Sequence, residues 1–398
     1  MTSFSAARRM TPWAVVVGVV LIALNLRAPI VAPAPVLSLI RDDLGLSATA
    51  AGLLTSLPVL CFAITTPLAA RVVRRAGPEL AVVACLLGVL VGTVIRSAGP
   101  TATVFLGTVV IGTAIMIGNI VVPVIIRRDV PWQRASTVTA IYTATMNVGS
   151  MITSLSMAPL AAAVGWRWAL ASWGAVAVLG SLYWGNRARH RPDAPATAPE
   201  PAAGVSVGRI GWLLMFSFGG QSFAYYAATA WLPTILSDTR GLDPSASGAI
   251  ASVFQIAAVI GAFGVPVLAS RSPLWVSVVV MGVCWVALPI GLFVAPEYYG
   301  LWAFIGGIAQ GGAFTAILSI IAQVTRSDRE AAGMSAKVQF GGYIAAAFGA
   351  PLAGWLNSVT GGWTVPLAVI LVATLVYSTA GVTAARLARS ERASRGTQ

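Results

Sequence analysis

Residues 19–37 read VVLIALNLRAPIVAPAPVL, an apolar segment that carries Asn25 and Arg27 near its centre. With the apolar residues that precede it, the segment is long enough for the roughly 20-residue helix that crosses a bilayer. A guanidinium at mid-membrane depth costs about 2.5–3.5 kcal/mol on insertion-based scales, so an arginine there needs a compensating interaction. The segment therefore predicts a membrane-spanning helix with a functional polar centre.

The whole chain has the composition of an integral membrane protein. Of its 398 residues, 57% are hydrophobic and only 9% are charged, whereas soluble domains carry about 25% charged residues. The fold class predicted is all-α integral membrane with twelve transmembrane helices. The predicted spans are residues 12–40, 48–70, 79–97, 101–126, 135–160, 168–186, 210–236, 245–270, 274–295, 299–325, 332–356 and 363–385.

The two halves of the chain repeat one another. The segments compared are GSMITSLSMAPLAAAVGWRW, from Gly149, and GGYIAAAFGAPLAGWLNSVTGGW, from Gly341; both reach Ala-Pro-Leu-Ala nine residues on. A repeat of six spans plus six is one transporter architecture, with a central site between the halves. We therefore predict two pseudo-symmetric six-helix bundles joined by a Pro- and charge-rich cytoplasmic linker, with boundaries at 1–186, 187–209 and 210–398.

Basic residues are distributed unevenly between the two sides of the predicted bilayer. With the N-terminus inside, 19 of the 25 Lys and Arg fall in inner segments, and the outer loops hold only Arg41, Arg96, Arg167 and Arg240. The positive-inside rule then places both termini in the cytoplasm and the protein in the cell's inner membrane. The net charge of +13 thus indicates membrane orientation, and no nucleic-acid partner is expected.

Amide side chains predict a polar interior, because lipid accepts an amide only at high cost. Those within the spans are Asn25, Asn119, Asn147, Gln221, Gln255, Gln310, Gln323 and Gln339. With the span ends and loops left aside, spans 3, 6, 9 and 12 have none, as expected if these four helices face lipid. Hydrogen bonding between helices is the alternative role for such amides, and we assign it to about half of them.

Polar residues at helical spacing form lines on three spans. The lines are Ser136, Thr139, Thr143, Asn147, Ser150 and Ser154 on span 5, Ser217, Gln221 and Tyr225 on span 7, and Ser335, Gln339 and Tyr343 on span 11. We expect these lines to face one another around water. Tyr226 adjoins the second line, and Tyr142 flanks the first, where packing between helices is an equal alternative.

Several motifs carry a resemblance to a known family. They are LNLRAPI, GLLTSLPVLCFAITTPLAARVVRR, GNIVVPVIIRRD, GGQSFAYYAATAWLPTIL, GGIAQGGAF and the TGGW at 360–363. Together they resemble the major facilitator superfamily and, within it, the branch of the cyanate and 2-nitroimidazole transporters. The resemblance covers nearly the whole chain and implies transport by alternating access around a central cavity.

Two positions depart from the family's pattern. In the superfamily, the loop between spans 2 and 3 usually resembles G-x-L-A-D-R-x-G-R-R. This chain has Ala70 at the position of the acidic residue. The charged residues that control gating at this loop must therefore lie at other positions. Arg71 and Arg75 are the candidates for this role on the cytoplasmic side. Lys337, the only lysine, stands where similar proteins have an apolar residue; it either reaches the cytoplasmic interface or lines the cavity from below.

The candidate substrate-binding residues are Asn25, Arg27, Asn119, Tyr142, Asn147, Gln221, Tyr225, Tyr226, Gln255, Gln310, Gln339 and Tyr343. A cavity with Arg27 and no acid favours a small anion or a polar heterocycle over a cation. Cyanate-like anions and nitroimidazole-like rings both remain open. Asn25 or Asn119 is expected to orient the guanidinium, and structural hydrogen bonding of Arg27 to helix carbonyls is the alternative.

Other function classes have less support in the sequence. All twelve Asp and Glu lie in loops, tails or helix ends, so neither an enzyme nor a cofactor or metal site is predicted. The rival is a multidrug antiporter of the same fold, although such exporters usually carry embedded carboxylates. We expect a monomer whose partners are a small-molecule substrate and the lipid bilayer. Facilitated diffusion, exchange and symport of a protonated substrate remain open.

Overall fold

A computed structural model describes residues 12–130, 132–189, 208–325 and 328–396, and within these ranges the secondary structure is helical. The α-helices are α1 Pro12–Val31, α2 Leu37–Leu44, α3 Ala48–Ser97, α4 Thr101–Asp129, α5 Trp132–Val164, α6 Trp166–Ser172, α7 Gly174–Ala188, α8 Arg209–Arg240, α9 Pro244–Arg271, α10 Leu274–Val294, α11 Tyr299–Val324, α12 Asp328–Ala347, α13 Gly349–Thr360 and α14 Thr364–Gly396. Short 3-10 helices cover Ala34–Val36 and Pro296–Tyr298.

Within the described residues, each of the twelve predicted spans corresponds to a helix, to one part of α3, or to an interrupted pair of helices. The interrupted pairs are α1 with α2, α6 with α7, and α12 with α13. By length and composition alone, eight helical stretches are long and apolar enough to span a membrane, and one of them is α3, which holds two spans. We refer to α1–α7 as the first half and to α8–α14 as the second half.

Helix α3 contains two of the predicted spans. The chain turns at Gly77, whose φ of 79° and ψ of 165° lie outside the helical region and suit a residue without a Cβ. Pro78 begins the next helix with a backbone angle that is already set. The first of the two spans therefore continues past its predicted end at residue 70.

The first span, predicted as continuous over residues 12–40, is interrupted. Helix α1 ends at Val31, and a 3-10 turn leads into α2. Pro33 and Pro35 have no N–H to donate to the carbonyls four residues earlier, so the α-helical ladder cannot continue. Apolar character was enough to predict a membrane segment here, but the prolines decide its shape.

The two halves meet at two glycines, one near the start of α3 and one near the start of α9. A Cβ on Gly52 of α3 would lie 2.6 Å from the Ala350 carbonyl oxygen of α13. A Cβ on Gly248 of α9 would lie 2.5 Å from the Ser154 carbonyl oxygen of α5. Because glycine has no Cβ, the helix backbones can approach closely at both contacts.

The predicted outer spans expose apolar side chains. Val91 of α3, Leu182 of α7, Val283 of α10 and Val372 of α14 are all exposed. In water such surfaces would be unfavourable, whereas lipid accepts them. Their exposure agrees with the expectation that these helices face the bilayer.

Candidate substrate site

Arg27 links the two halves of the molecule. Its Nη1 donates to Asn147 Oδ1 of α5 at 2.9 Å, and its guanidinium carbon lies 4.6 Å from the centre of the Tyr225 ring of α8. Asn147 Nδ2 donates in turn to the Thr143 carbonyl oxygen at 3.0 Å. This second bond orients the amide, so that its oxygen faces the guanidinium.

Four tyrosines lie near this arginine. They are Tyr142, Tyr225, Tyr226 and Tyr343. Tyr343 of α12 stands edge-on to Phe62 of α3, with ring centres 5.7 Å apart, and to Phe218 of α8 at 5.2 Å. Tyr343 therefore also contacts both halves, whereas the ring face that lies against the guanidinium is that of Tyr225, a contact that favours a cation.

The predicted line on α12 is held together by its own hydrogen bonds. Gln339 Nε2 donates to Ser335 Oγ at 2.7 Å, and the Tyr343 hydroxyl donates to Gln339 Oε1 at 3.5 Å. Gln339 thus supports Tyr343 rather than reaching Arg27 itself. Lys337 is partly buried on the same helix, and its role in gating stays a prediction.

The amides of the second half form a separate buried seam along α8. Gln221 Nε2 donates to the Gln310 carbonyl oxygen at 3.3 Å, and Gln255 Nε2 donates to Thr229 Oγ1 at 3.3 Å. Gln221 and Thr229 lie one turn before and one turn after Tyr225. These contacts agree with the alternative role given for the amides in the spans, which is hydrogen bonding between helices.

Two polar atoms of this seam have no partner within the described chain. They are the acceptor Gln255 Oε1 and the donor Gln310 Nε2. Both residues are at most 2% exposed. An unpaired buried polar group costs about 1–3 kcal/mol, so these atoms would gain from a polar ligand.

The expectation that Asn25 or Asn119 orients Arg27 was wrong. Asn25 is fully buried and donates to the Leu21 carbonyl oxygen at 2.8 Å. It lies two residues before Arg27, which is about 200° around the helix, so its side chain points to a different face. Asn119 is partly buried and makes no hydrogen bond within the described part of the chain. The amide that fills this role is Asn147.

Within the described part of the chain, no acidic residue pairs with Arg27. The described Asp and Glu lie at or near helix ends and turns, and the described ion pairs do not include Arg27. The described residues also contain no cluster of His, Cys, Asp and Glu suited to a metal ion. Among the described residues, the charge of the guanidinium is therefore not neutralised by an acid.

An ion pair that the sequence did not predict lies near the Gly77 turn. Arg128 Nη2 is 2.5 Å from Glu79 Oε1, and Arg128 Nε is 2.9 Å from Asp129 Oδ1. Burial lowers the pKa of Arg128, but the hydrogen bonds that Arg128 donates to Asp129 and Glu79 outweigh it and hold the pKa above its ordinary value. Glu79 thus supplies an acidic residue near this turn, although residue 70, where the superfamily usually has an acid, is alanine. The Arg71 and Arg75 side chains nearby are exposed, and their gating role stays a prediction.

Of two residues near the site that were not predicted, Thr229 and Phe62, only the first could have been found by extending the sequence patterns. Thr229 continues the line of Ser217, Gln221 and Tyr225 by one further turn. Phe62 had no such signal, because an apolar residue on an apolar helix is uninformative. Its contact with Tyr343 depends on how the two halves pack.

Comparison with known proteins identifies the family to which the chain belongs. The family model described as Major Facilitator Superfamily matches residues 15–305. The chain belongs to this superfamily. It is therefore a multi-pass membrane transporter, not an enzyme, and it binds a small-molecule substrate within the membrane.

Relatives within the superfamily confirm the resemblance to the cyanate and 2-nitroimidazole branch. The chain is 34% identical to the uncharacterized transporter YycB of Bacillus subtilis (strain 168), over 93% of each chain. It is 31% identical to the 2-nitroimidazole transporter of Escherichia coli (strain K12), over 97% of this chain and 98% of that one. It is 27% identical to the cyanate transport protein CynX of Escherichia coli (strain K12), over 86% and 90%.

A solved structure shares the superfamily fold. It is the crystal structure of a bacterial homologue of the human lysosomal transporter Spinster, in an inward-facing and unoccupied conformation. The TM-score is 0.75 at 16% identity, over 95% of this chain and 98% of that one. At this identity the likeness shows the fold alone, which agrees with the predicted twelve-helix arrangement.

Proposed function

We propose that the protein carries a small anion or a small polar heterocycle across the inner membrane by alternating access, with Arg27 at the centre of the substrate site. The observation that carries this proposal is the position of Arg27, between Asn147 of the first half and Tyr225 of the second. Both termini would be cytoplasmic, and the two bundles, residues 1–186 and 210–398, would move as a monomer around the linker at 187–209. Residues 190–207 of the linker lie outside the described part of the chain.

The electrostatics of this site support an anionic or dipolar substrate. Asn147 and the Tyr225 ring stabilise the guanidinium without neutralising it. Opposite charges 4 Å apart attract by about 4 kcal/mol at an effective dielectric constant of 20, and a cation would be repelled by as much. The planar fork of Arg27 also suits a planar group that accepts two directed hydrogen bonds.

The second half supports a ring substrate over a linear anion. An azole offers one N–H donor and one nitrogen acceptor, which complement the unpaired Gln255 Oε1 and Gln310 Nε2. A cyanate-like anion has only acceptors, and it would leave Gln255 Oε1 unpaired. The name of the Escherichia coli relative, a 2-nitroimidazole transporter, points in the same direction.

Binding would couple to transport because Arg27 contacts both halves. A substrate held between Arg27 and the rings of α8 and α12 adds contacts that exist only when the halves are close. It would therefore favour the closed intermediate and make the change of access easier when loaded than when empty. The rival antiporter function has less support, because its cationic substrates would meet Arg27 without a described carboxylate beside it.

A thermal-shift screen of the purified protein tests this function. Cyanate, nitrate and 2-nitroimidazole should raise the melting temperature, and cationic dyes such as ethidium should not. Arg27→Lys should fold but lose most of the shift, since an ammonium cannot reproduce the two directed bonds. Arg27→Gln should lose the shift by anions more than the shift by 2-nitroimidazole. Stabilisation by the dyes alone, or unchanged shifts in Arg27→Gln, would overturn the proposal.

A further inference from the structure

Arg96, which the charge distribution assigned to an outer loop, is instead buried at the end of α3. It is 1% exposed and is one of the largest fully buried side chains of the protein. Its Nη1 donates to the Pro29 carbonyl oxygen of α1 at 2.7 Å, across 67 residues of sequence. Its Nε and Nη2 have no partner within the described chain. A cation buried without an acid is costly, so its contact with α1 calls for an explanation.

Pro33, two residues beyond the end of α1, leaves without a backbone donor the carbonyl to which Arg96 donates. In a continuous α-helix the Pro29 carbonyl would accept from the N–H of residue 33, but residue 33 is proline and has none. Within a membrane such a carbonyl has no water to bond to. Arg96 supplies the missing donor, and a bond from a charged donor is roughly twice as strong as a neutral one.

The same turn of α1 carries Arg27. Pro29 follows Arg27 by two residues, about 3 Å along the helix axis and 200° around it. Pro29 itself lacks an N–H, so the Asn25 carbonyl also loses its partner in the ladder. The helix around Arg27 is therefore weakened on both sides by missing hydrogen bonds. The bond from Arg96 holds this turn from α3, while Arg27 reaches towards α5 and α8.

We propose that Arg96 is a positioning residue: by bonding to the Pro29 carbonyl oxygen, it fixes the turn of α1 that presents Arg27 to the substrate. Arg96 does not touch the substrate, and it acts through the direction of Arg27. The proposal rests on the proposed function in one respect, that Arg27 binds the substrate.

Substitutions at residues 96 and 33 test the proposal, with binding of 2-nitroimidazole and cyanate measured by calorimetry. Arg96→Gln should weaken binding about tenfold or more, because small misplacements of a binding group are costly. Arg96→Lys keeps a charged donor and should lose less. Pro33→Ala restores an N–H for the Pro29 carbonyl, and alanine fits there because Pro33 has helical angles, φ −65° and ψ −29°. The double variant Pro33→Ala/Arg96→Gln should therefore regain part of the lost affinity.

The control is Arg167→Gln, which removes an exposed arginine paired with Asp43 and should bind as the parent does. In an Arg27→Gln background, Arg96→Gln should cause no further loss of binding, whereas a purely structural role would give the same loss in both backgrounds. If Arg96→Gln does not fold, the double variant takes its place: weaker binding than the parent that disappears as a difference in the Arg27→Gln background supports the proposal, and a double variant that also fails to fold overturns it.

The outcomes separate this proposal from the proposed function. Loss of binding in Arg27→Gln but parental binding in Arg96→Gln overturns only the role of Arg96. An affinity in Arg96→Gln that Pro33→Ala does not improve overturns it as well. Parental binding in Arg27→Gln overturns the substrate site itself, and the role of Arg96 falls with it.

Discussion

At the scale of single residues, Arg27 is stabilised by an amide and an aromatic ring in place of an acid. The Tyr225 ring lies 4.6 Å from its guanidinium carbon, and such cation–π contacts contribute about 0.5–2 kcal/mol. The Asn147 amide adds a hydrogen bond of 2.9 Å. Because neither partner carries a charge, the site stays positive, and a substrate anion would be its first full counter-charge.

Asn147 and Asn119 offer a matched comparison of two amides in the first half. Asn147→Ala removes the acceptor that orients Arg27 and should weaken binding of cyanate by about tenfold, because hydrogen bonds to charged groups are worth roughly 1.5–3 kcal/mol. Asn119→Ala removes an amide that makes no hydrogen bond within the described residues and should bind nearly as the parent does. Calorimetry on both variants checks this. Equal losses would mean that the contact between Arg27 and Asn147 does not set the affinity.

At the scale of elements, the sequence predicts most helices well where an apolar run ends at Gly, Pro or a charge. Predicted spans 245–270 and 274–295 correspond to α9, Pro244–Arg271, and α10, Leu274–Val294. Hydropathy could not reveal the interruption of the first span, which depends on missing N–H groups. Nor could it place Arg96, because a charge at the end of an apolar run reads as a loop. Only the packing of α3 against α1 shows that Arg96 donates to the Pro29 carbonyl oxygen.

The glycine contacts between the halves give a prediction for α9. A valine at Gly248 would collide with the Ser154 carbonyl oxygen of α5 and push the two helices apart. Gly248→Val should therefore lengthen the distance between spin labels on α5 and α9 at this end, as measured by double electron–electron resonance, and slow transport. The control is Gly264→Val on the same helix, where a Cβ would have nothing within 4 Å. The same distance in parent and Gly248→Val would contradict the role of this contact.

At the scale of the whole molecule, the two halves repeat a backbone pattern but carry different chemistry. The first half brings the charge, through Arg27 and Asn147, and the second brings rings and neutral amides along α8, α9 and α11. The polar positions could be selected from the sequence because helical spacing brings them onto common faces. The pairing of Arg27 with Asn147 could not, because it depends on how α1 packs against α5. A substrate that touches both chemistries would connect the two halves.

The positions of the acidic residues also limit how transport is coupled to protons. Proton-driven transporters use a buried Asp, Glu or His as carrier, and the described acids lie at or near helix ends and turns. We expect purified protein in liposomes under a pH gradient to show no proton flux beyond that of empty liposomes when substrate is absent. Flux should appear only with a substrate that itself carries the proton, such as a weak acid with a pKa near the working pH. The measurement is the fluorescence of an enclosed pH dye, with Arg27→Gln as the variant in which substrate-dependent flux is lost. Proton flux that persists without substrate would mean that a side chain of the protein carries the proton.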